Sequence, residues 1–133
     1  MDAVTGSQVA SQQGLASPSQ IHWPRFKVRR LLGFYAGEQG VGGTASRYPL
    51  GKMLGEGSYG RVYASSLGGV KLAVKVVVKK DRIAALMEAS LAEQLAGHPH
   101  LVELKDVCVG PCGSSYLVYA NAGVFWCTSQ MAK

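Results

Sequence analysis

The chain has 133 residues, of which 47% are hydrophobic, and a formal net charge of +6. That length suits one domain with a tail, and the basic residues are spread out rather than gathered among aromatics, which reads as a solvated basic surface and argues against nucleic-acid binding. Three cysteines without a Cys-x-x-Cys pair argue against a disulfide framework or a zinc site, and no run approaches the ~20 apolar residues of a transmembrane helix.

From Met1 to Gln20 the residues are mostly Ser, Gln, Ala and Gly, too few of them large and apolar to offset an ordering entropy of roughly 1–2 kcal/mol per residue, so disorder is expected. The stretch lacks the charged start and apolar run of a secretory signal, and it has no arginine, unlike a mitochondrial transit peptide. The expected location is therefore the cytoplasm or nucleus. Ile21 to Leu32 is aromatic and basic, and it reads as a linker packing loosely on the domain. Docking on a partner, on an acidic membrane surface or back on its own domain are the alternatives. Gly33 to Ser46 carries five glycines and reads as a flexible connection. Residues 1–46 are thus expected to form a disordered tail and linker.

Order is expected from about Tyr48. Leu50 to Leu54 leads into Gly55-Glu56-Gly57-Ser58-Tyr59-Gly60, and Arg61 to Ser65 leaves it with apolar residues at alternate positions, the mark of a hairpin. After the Gly68-Gly69 turn, the valine-rich run Lys71 to Lys80 reads as a strand covered on both faces. Asp81 is a candidate N-cap for a helix over Arg82 to Ala96, in which Ile83, Met87, Leu91 and Leu95 form an apolar stripe with Glu88 beside it. Gly97 and Pro99 stop that helix. Leu101 to Val109 and Ser115 to Tyr119 are predicted strands joined at Gly110 to Gly113. The predicted fold is α+β: a five-stranded antiparallel sheet with one main helix, preceded by the disordered tail.

The glycine run decides little by itself, because dinucleotide-binding folds also use Gly-x-Gly-x-x-Gly. Here the third glycine opens a strand and a Gly-Gly turn rather than a helix, which excludes that fold, and Arg61-Val62 after Gly60 excludes the Walker pattern. Gly55, Gly57 and Gly60 allow backbone N–H groups to approach a triphosphate where a Cβ would obstruct. Lys75 would supply the compact cation. A lysine among mid-strand valines is costly to bury unless its amine reaches solvent or an anion, and Glu88 is the natural partner.

Gly55-x-Gly57-x-x-Gly60-x-Val62, Ala73-x-Lys75, Glu88 on a helix and Gly97-His98-Pro99-His100-Leu101-Val102 together resemble the eukaryotic protein kinase family, probable type Ser/Thr, over its N-terminal lobe. The resemblance covers 47–123 as a partial kinase domain, with 124–133 an irregular tail, and it implies a chain truncated after the hinge. It implies ATP as ligand, held by Lys75 at the phosphates with Glu88 as its partner, and under the loop Gly55, Glu56, Gly57, Ser58, Tyr59 and Gly60. It places Leu54, Val62 and Ala73 over the adenine, Tyr119 at the gatekeeper position, and Ala120 to Ala122 at the hinge. Ala92 stands where the family usually has a larger apolar residue, which would loosen the helix.

No His-Arg-Asp, Asp-Phe-Gly or Ala-Pro-Glu occurs in the 133 residues. The Mg²⁺ and protein substrate of the intact family member therefore lack their residues here, and the chain alone is expected to be inactive. A non-catalytic nucleotide-binding or protein-interaction module, and an unproductive truncated product, are the alternatives.

Overall fold

The computed structural model describes residues 21–37, 45–99 and 101–120. Among these, helix α1 (Lys27–Tyr35) comes first, followed by strands β1 (Met53–Glu56), β2 (Gly60–Leu67) and β3 (Val70–Val77). Helix α2 (Arg82–Gln94) follows, and strands β4 (Leu104–Val109) and β5 (Ser115–Ala120) close the order. All pairings are antiparallel and the sheet runs β1-β2-β3-β5-β4. The α+β class and the five strands agree with the sequence reading.

Glycine sets the punctuation. Gly68 and Gly69 both adopt positive φ, 56° and 83°, and turn β2 into β3 with Leu67 opposite Val70. Gly97, at φ 88°, ends α2. The left-handed region is costly for residues with a Cβ, which is why these stops are glycines. Asp81 does sit at the N-cap of α2, but its side chain makes no capping bond. β3 ends at Val77 rather than running to Lys80, because Lys79–Asp81 tightens into a 3-10 turn.

Central strand β3 is buried on both faces, as its valine content predicts. One face joins Val62, Ala73, Val77, Leu117 and Tyr119 to α2 through Ala85 and Ala89. The other gathers Leu72, Val74, Cys108, Tyr116 and Val118 beneath Tyr48, with Trp23 and Phe34 at its margin.

Helix α1 corrects the sequence reading of residues 21–37. Lys27–Tyr35 is helical, its Leu31 is fully buried, and even Gly33 is enclosed. This segment docks on its own domain, the alternative ranked below a loose linker. Met1 to Gln20, residues 38–44 and residues 121–133, for which a disordered tail, a flexible connection and a hinge with an irregular tail are expected, lie outside the described residues.

A buried polar knot fastens α1. The Asp106 carboxylate accepts from the Tyr48 hydroxyl and from Val107 N–H at 2.7 Å, and Arg30 Nε lies 3.2 Å from Asp106 Oδ1. Arg30 Nε also donates to the Val107 carbonyl at 3.1 Å. A buried carboxylate needs such partners to remain inside. Burial first, then Asp106, pushes the Tyr48 phenol far above its ordinary value, so it stays a donor.

Candidate functional site

Glu88 reaches the sheet because the face of α2 that carries it is otherwise made of alanine. Ala85, Ala89 and Ala92 occupy that face at helical spacing, and Ala85 and Ala89 are essentially without exposed surface. Small side chains let the helix lie against α1 and against the β4–β5 side of the sheet. Lys75 points up from β3 and donates to Glu88 Oε1 at 2.7 Å. The lysine is 8% exposed, and the carboxylate is what makes its burial tolerable.

A second group holds the same carboxylate. The Tyr119 hydroxyl donates to Glu88 Oε2, so Lys75 and Tyr119 take one oxygen each. The register explains how: Ala73 lies opposite Tyr119 in the β3–β5 pair, two residues before Lys75, so both side chains emerge on the face beneath α2. Burial, and next the Glu88 charge, raise the Tyr119 phenol well above its ordinary value, and it remains protonated. Sequence reasoning placed Tyr119 at the back of the pocket and missed this bond; the parity of positions 73 and 75 on β3 was the signal available.

The loop between β1 and β2 completes the site. Gly57 N–H donates to the Gly60 carbonyl at 2.9 Å, leaving Ser58 and Tyr59 at an exposed tip. Exposed Arg61 and Glu56 form an ion pair at 3.3 Å across the strands leading into the loop. A Cβ at Gly60 would lie 2.4 Å from the Val76 carbonyl oxygen. Its glycine identity therefore has a reason in the sheet itself, independent of any ligand.

An open cavity of about 1170 Å³ runs from this loop along α2 to residues 25–27 and 101–104. Gly57, Ser58, Tyr59, Lys75, Glu88 and Tyr119 are on its wall; Leu54, Gly55, Glu56, Gly60, Val62, Ala73 and Ala120 are not. Val62 and Ala73 are fully buried in the core beneath the sheet, with Leu54 half-buried against them. Ala122 lies outside the described residues. The structure thus brings the loop tip Gly57 to Tyr59 together with Lys75, Glu88 and Tyr119, and leaves Gly55, Glu56 and Gly60 off that wall and Val62 and Ala73 within the core.

The Ile83, Met87, Leu91 and Leu95 stripe faces away from the sheet: Met87 is 67% exposed. Its four-residue period is shared by the alanines that do pack, so periodicity alone favoured the larger set.

No helix among the described residues is long and apolar enough to cross a membrane. No protein-family model matches the chain. Three curated proteins are similar to it. The chain is 36% identical over 97 residues to CBL-interacting serine/threonine-protein kinase 5 of Arabidopsis thaliana, covering 65% of this chain and 22% of that protein. It is 33% identical over 81 residues to mitogen-activated protein kinase 17 of the same plant, covering 56% and 16%. The probable CTD kinase subunit alpha homolog of Encephalitozoon cuniculi is 30% identical over 79 residues, covering 57% and 24%. The chain spans about a quarter or less of the length of these relatives. An antiparallel five-stranded sheet with α2 against it, together with these similarities, supports a relationship between this chain and the protein kinases.

Proposed function

We propose that residues 47–123 form the ATP-binding lobe of a protein-kinase-related chain. The observation that carries this reading is the Lys75–Glu88 pair at 2.7 Å on the wall of the cavity beside the glycine loop. A triphosphate entering there meets a cation already oriented by its carboxylate, so little side-chain ordering is left to be lost on binding. Backbone N–H groups of the Gly55 to Gly60 loop cover the phosphates from the other side. Leu54, Val62 and Ala73 are assigned to the adenine, with Tyr119 behind it and the backbone of Ala120 and Ala122 at its polar edge. Val62 and Ala73 have no exposed surface, so contact there requires the residues over them to give way.

The described residues do not fit an Mg²⁺ ion of their own. Glu88 is held by Lys75 and Tyr119, Glu93 accepts from the Lys27 backbone N–H, and Glu103 pairs with Lys105. Without His-Arg-Asp and Asp-Phe-Gly, these residues hold no aspartate to accept the hydroxyl proton of a substrate and none to carry the metal. The proposed role of this stretch is binding; Ser/Thr phosphoryl transfer belongs to the intact kinase, together with its protein substrate and its cytoplasmic or nuclear location.

The test is a thermal shift with ATP at ten times its Kd. One-site linkage gives about 1.4 kcal/mol, or about 5–10 °C for a domain of this size. Lys75→Met should abolish the shift while labelled phosphate transfer stays at background in both proteins; an equal shift in the variant would remove the reading. The outward stripe Ile83, Met87 and Leu91 favours a second reading, a protein-interaction module. It expects concentration-dependent association in sedimentation without any ATP shift.

A further inference from the structure

The buried face of α2 offers the small side chains Ala85 and Ala89, with Leu86 and Ala92 packed half-buried against the same core, while Ile83, Met87 and Leu91 lie exposed and contribute little to it. A set of polar ties adds to that packing. Two meet at Glu88 in its middle, from Lys75 and Tyr119. The others are at its ends, and both come from α1.

At the start of α2, the Tyr35 hydroxyl donates to the Arg82 carbonyl at 3.2 Å. That hydroxyl also lies 2.7 Å from Ser115 Oγ. A phenol has one proton, so with Tyr35 donating to Arg82, Ser115 donates to Tyr35. The fully buried Ser115 stands on β5, and the chain of bonds runs from the sheet through Tyr35 to the first turn of α2. Near the end of α2, Glu93 Oε2 accepts from the Lys27 backbone N–H at 2.5 Å. Lys27 opens α1, whose N-cap Phe26 has no capping side chain, so Glu93 supplies the cap from the neighbouring helix.

The two helices therefore run antiparallel, tied at both ends. α1 in turn is also anchored to the sheet, by buried Leu31 and by Arg30 on Asp106 and the Val107 carbonyl. It is a strut between the β4–β5 side of the sheet and the helix that carries Glu88.

We propose that α1 is a positioning element for the nucleotide site: Tyr35 and Glu93 are positioning residues that keep Glu88 within reach of Lys75, and the docking of α1 sets the lobe's affinity for a nucleoside triphosphate. The affinity part rests on the ATP-binding reading above. The positioning part does not need it.

The experiment uses the full chain and two readouts, amide hydrogen exchange without nucleotide and titration with a fluorescent ATP analogue. Tyr35→Phe combined with Glu93→Ala should raise exchange in α2 about tenfold and leave β2, β3 and β5 unchanged, because each lost tie weakens one helix end. The Kd for the analogue should rise about threefold to tenfold. Glu93→Gln keeps an acceptor oxygen for Lys27 N–H, and in place of Glu93→Ala in the Tyr35→Phe background it should restore most of the α2 protection. Unchanged α2 exchange overturns the proposal, and so does an equal rise throughout the sheet, which would mean that α1 only stabilises the fold. A loosened α2 with unchanged Kd overturns the link to the nucleotide. If the native chain binds no analogue, the ATP reading fails, and the exchange result still decides whether α1 positions Glu88.

Discussion

Gly60 shows how one residue can satisfy two demands at once. It ends the loop that is proposed to cover phosphates, yet the sheet excludes a side chain there on its own account. With a Cβ 2.4 Å from the Val76 carbonyl oxygen, either β2 or β3 must move, since the obstacle is backbone and cannot change rotamer. Gly60→Ala should cost about 1–3 kcal/mol, the range for overpacking, read as a lower urea midpoint with an unchanged slope. An unchanged midpoint would show that the hairpin yields freely. Glu88 carries its two demands differently: the sequence suggested Lys75 as partner from charge and position, whereas Tyr119 as a second donor follows only from strand register.

At the scale of elements, the hairpins and their glycine turns were legible in the sequence because glycine supplies what a turn physically requires. The β-branched run at β3 was legible because a strand covered on both faces has no polar side to show. Two features were not. Helix α1 buries Leu31 against partners distant in sequence; Val28, Leu31 and Tyr35 share one helical face, a signal too short beside Gly33 to identify those partners. In α2, large and small apolar residues share one period, and the choice between them depends on how closely the helix approaches the sheet. The structure selects the small set, and this has a measurable consequence. Met87→Gln and Leu91→Gln should each change stability by less than about 0.5 kcal/mol. Ala89→Leu, overfilling the close contact, should cost about 1–3 kcal/mol and separate Glu88 from Lys75. Urea denaturation of the three variants checks the order, and the reverse order would mean that α2 sits the other way round.

Across the whole molecule, several phenols are held protonated by the fold. Burial is the first cause at Tyr35, Tyr48, Tyr116 and Tyr119, and all four are raised from the ordinary value. Their contribution to stability is fully present below the unfolded value of about 10 and is lost as pH rises through the folded values, because above about 10 only the unfolded chain releases these protons. Denaturation midpoints should therefore fall between about pH 9.5 and 11. The fall should be shallower in Tyr48→Phe and Tyr119→Phe, each of which removes one such group; equal slopes in all three proteins would contradict it. Cys108 shares the environment, its thiol pushed up to about 12 by burial and then by Asp106, whereas Cys112 lies exposed in the turn before β5.

The bond from Arg30 to the Val107 carbonyl joins residues 77 apart in sequence. Helix α1 is made before β4, so the bond that fastens it to β4 cannot form until the residues between them exist. At ~5–20 residues per second that interval lasts about 4–15 s. Closing so long a loop is also entropically slow compared with forming the β1–β2 and β2–β3 hairpins. Of the described elements, the one made first is thus the one that takes its place last, and Leu31 waits those seconds for its partners.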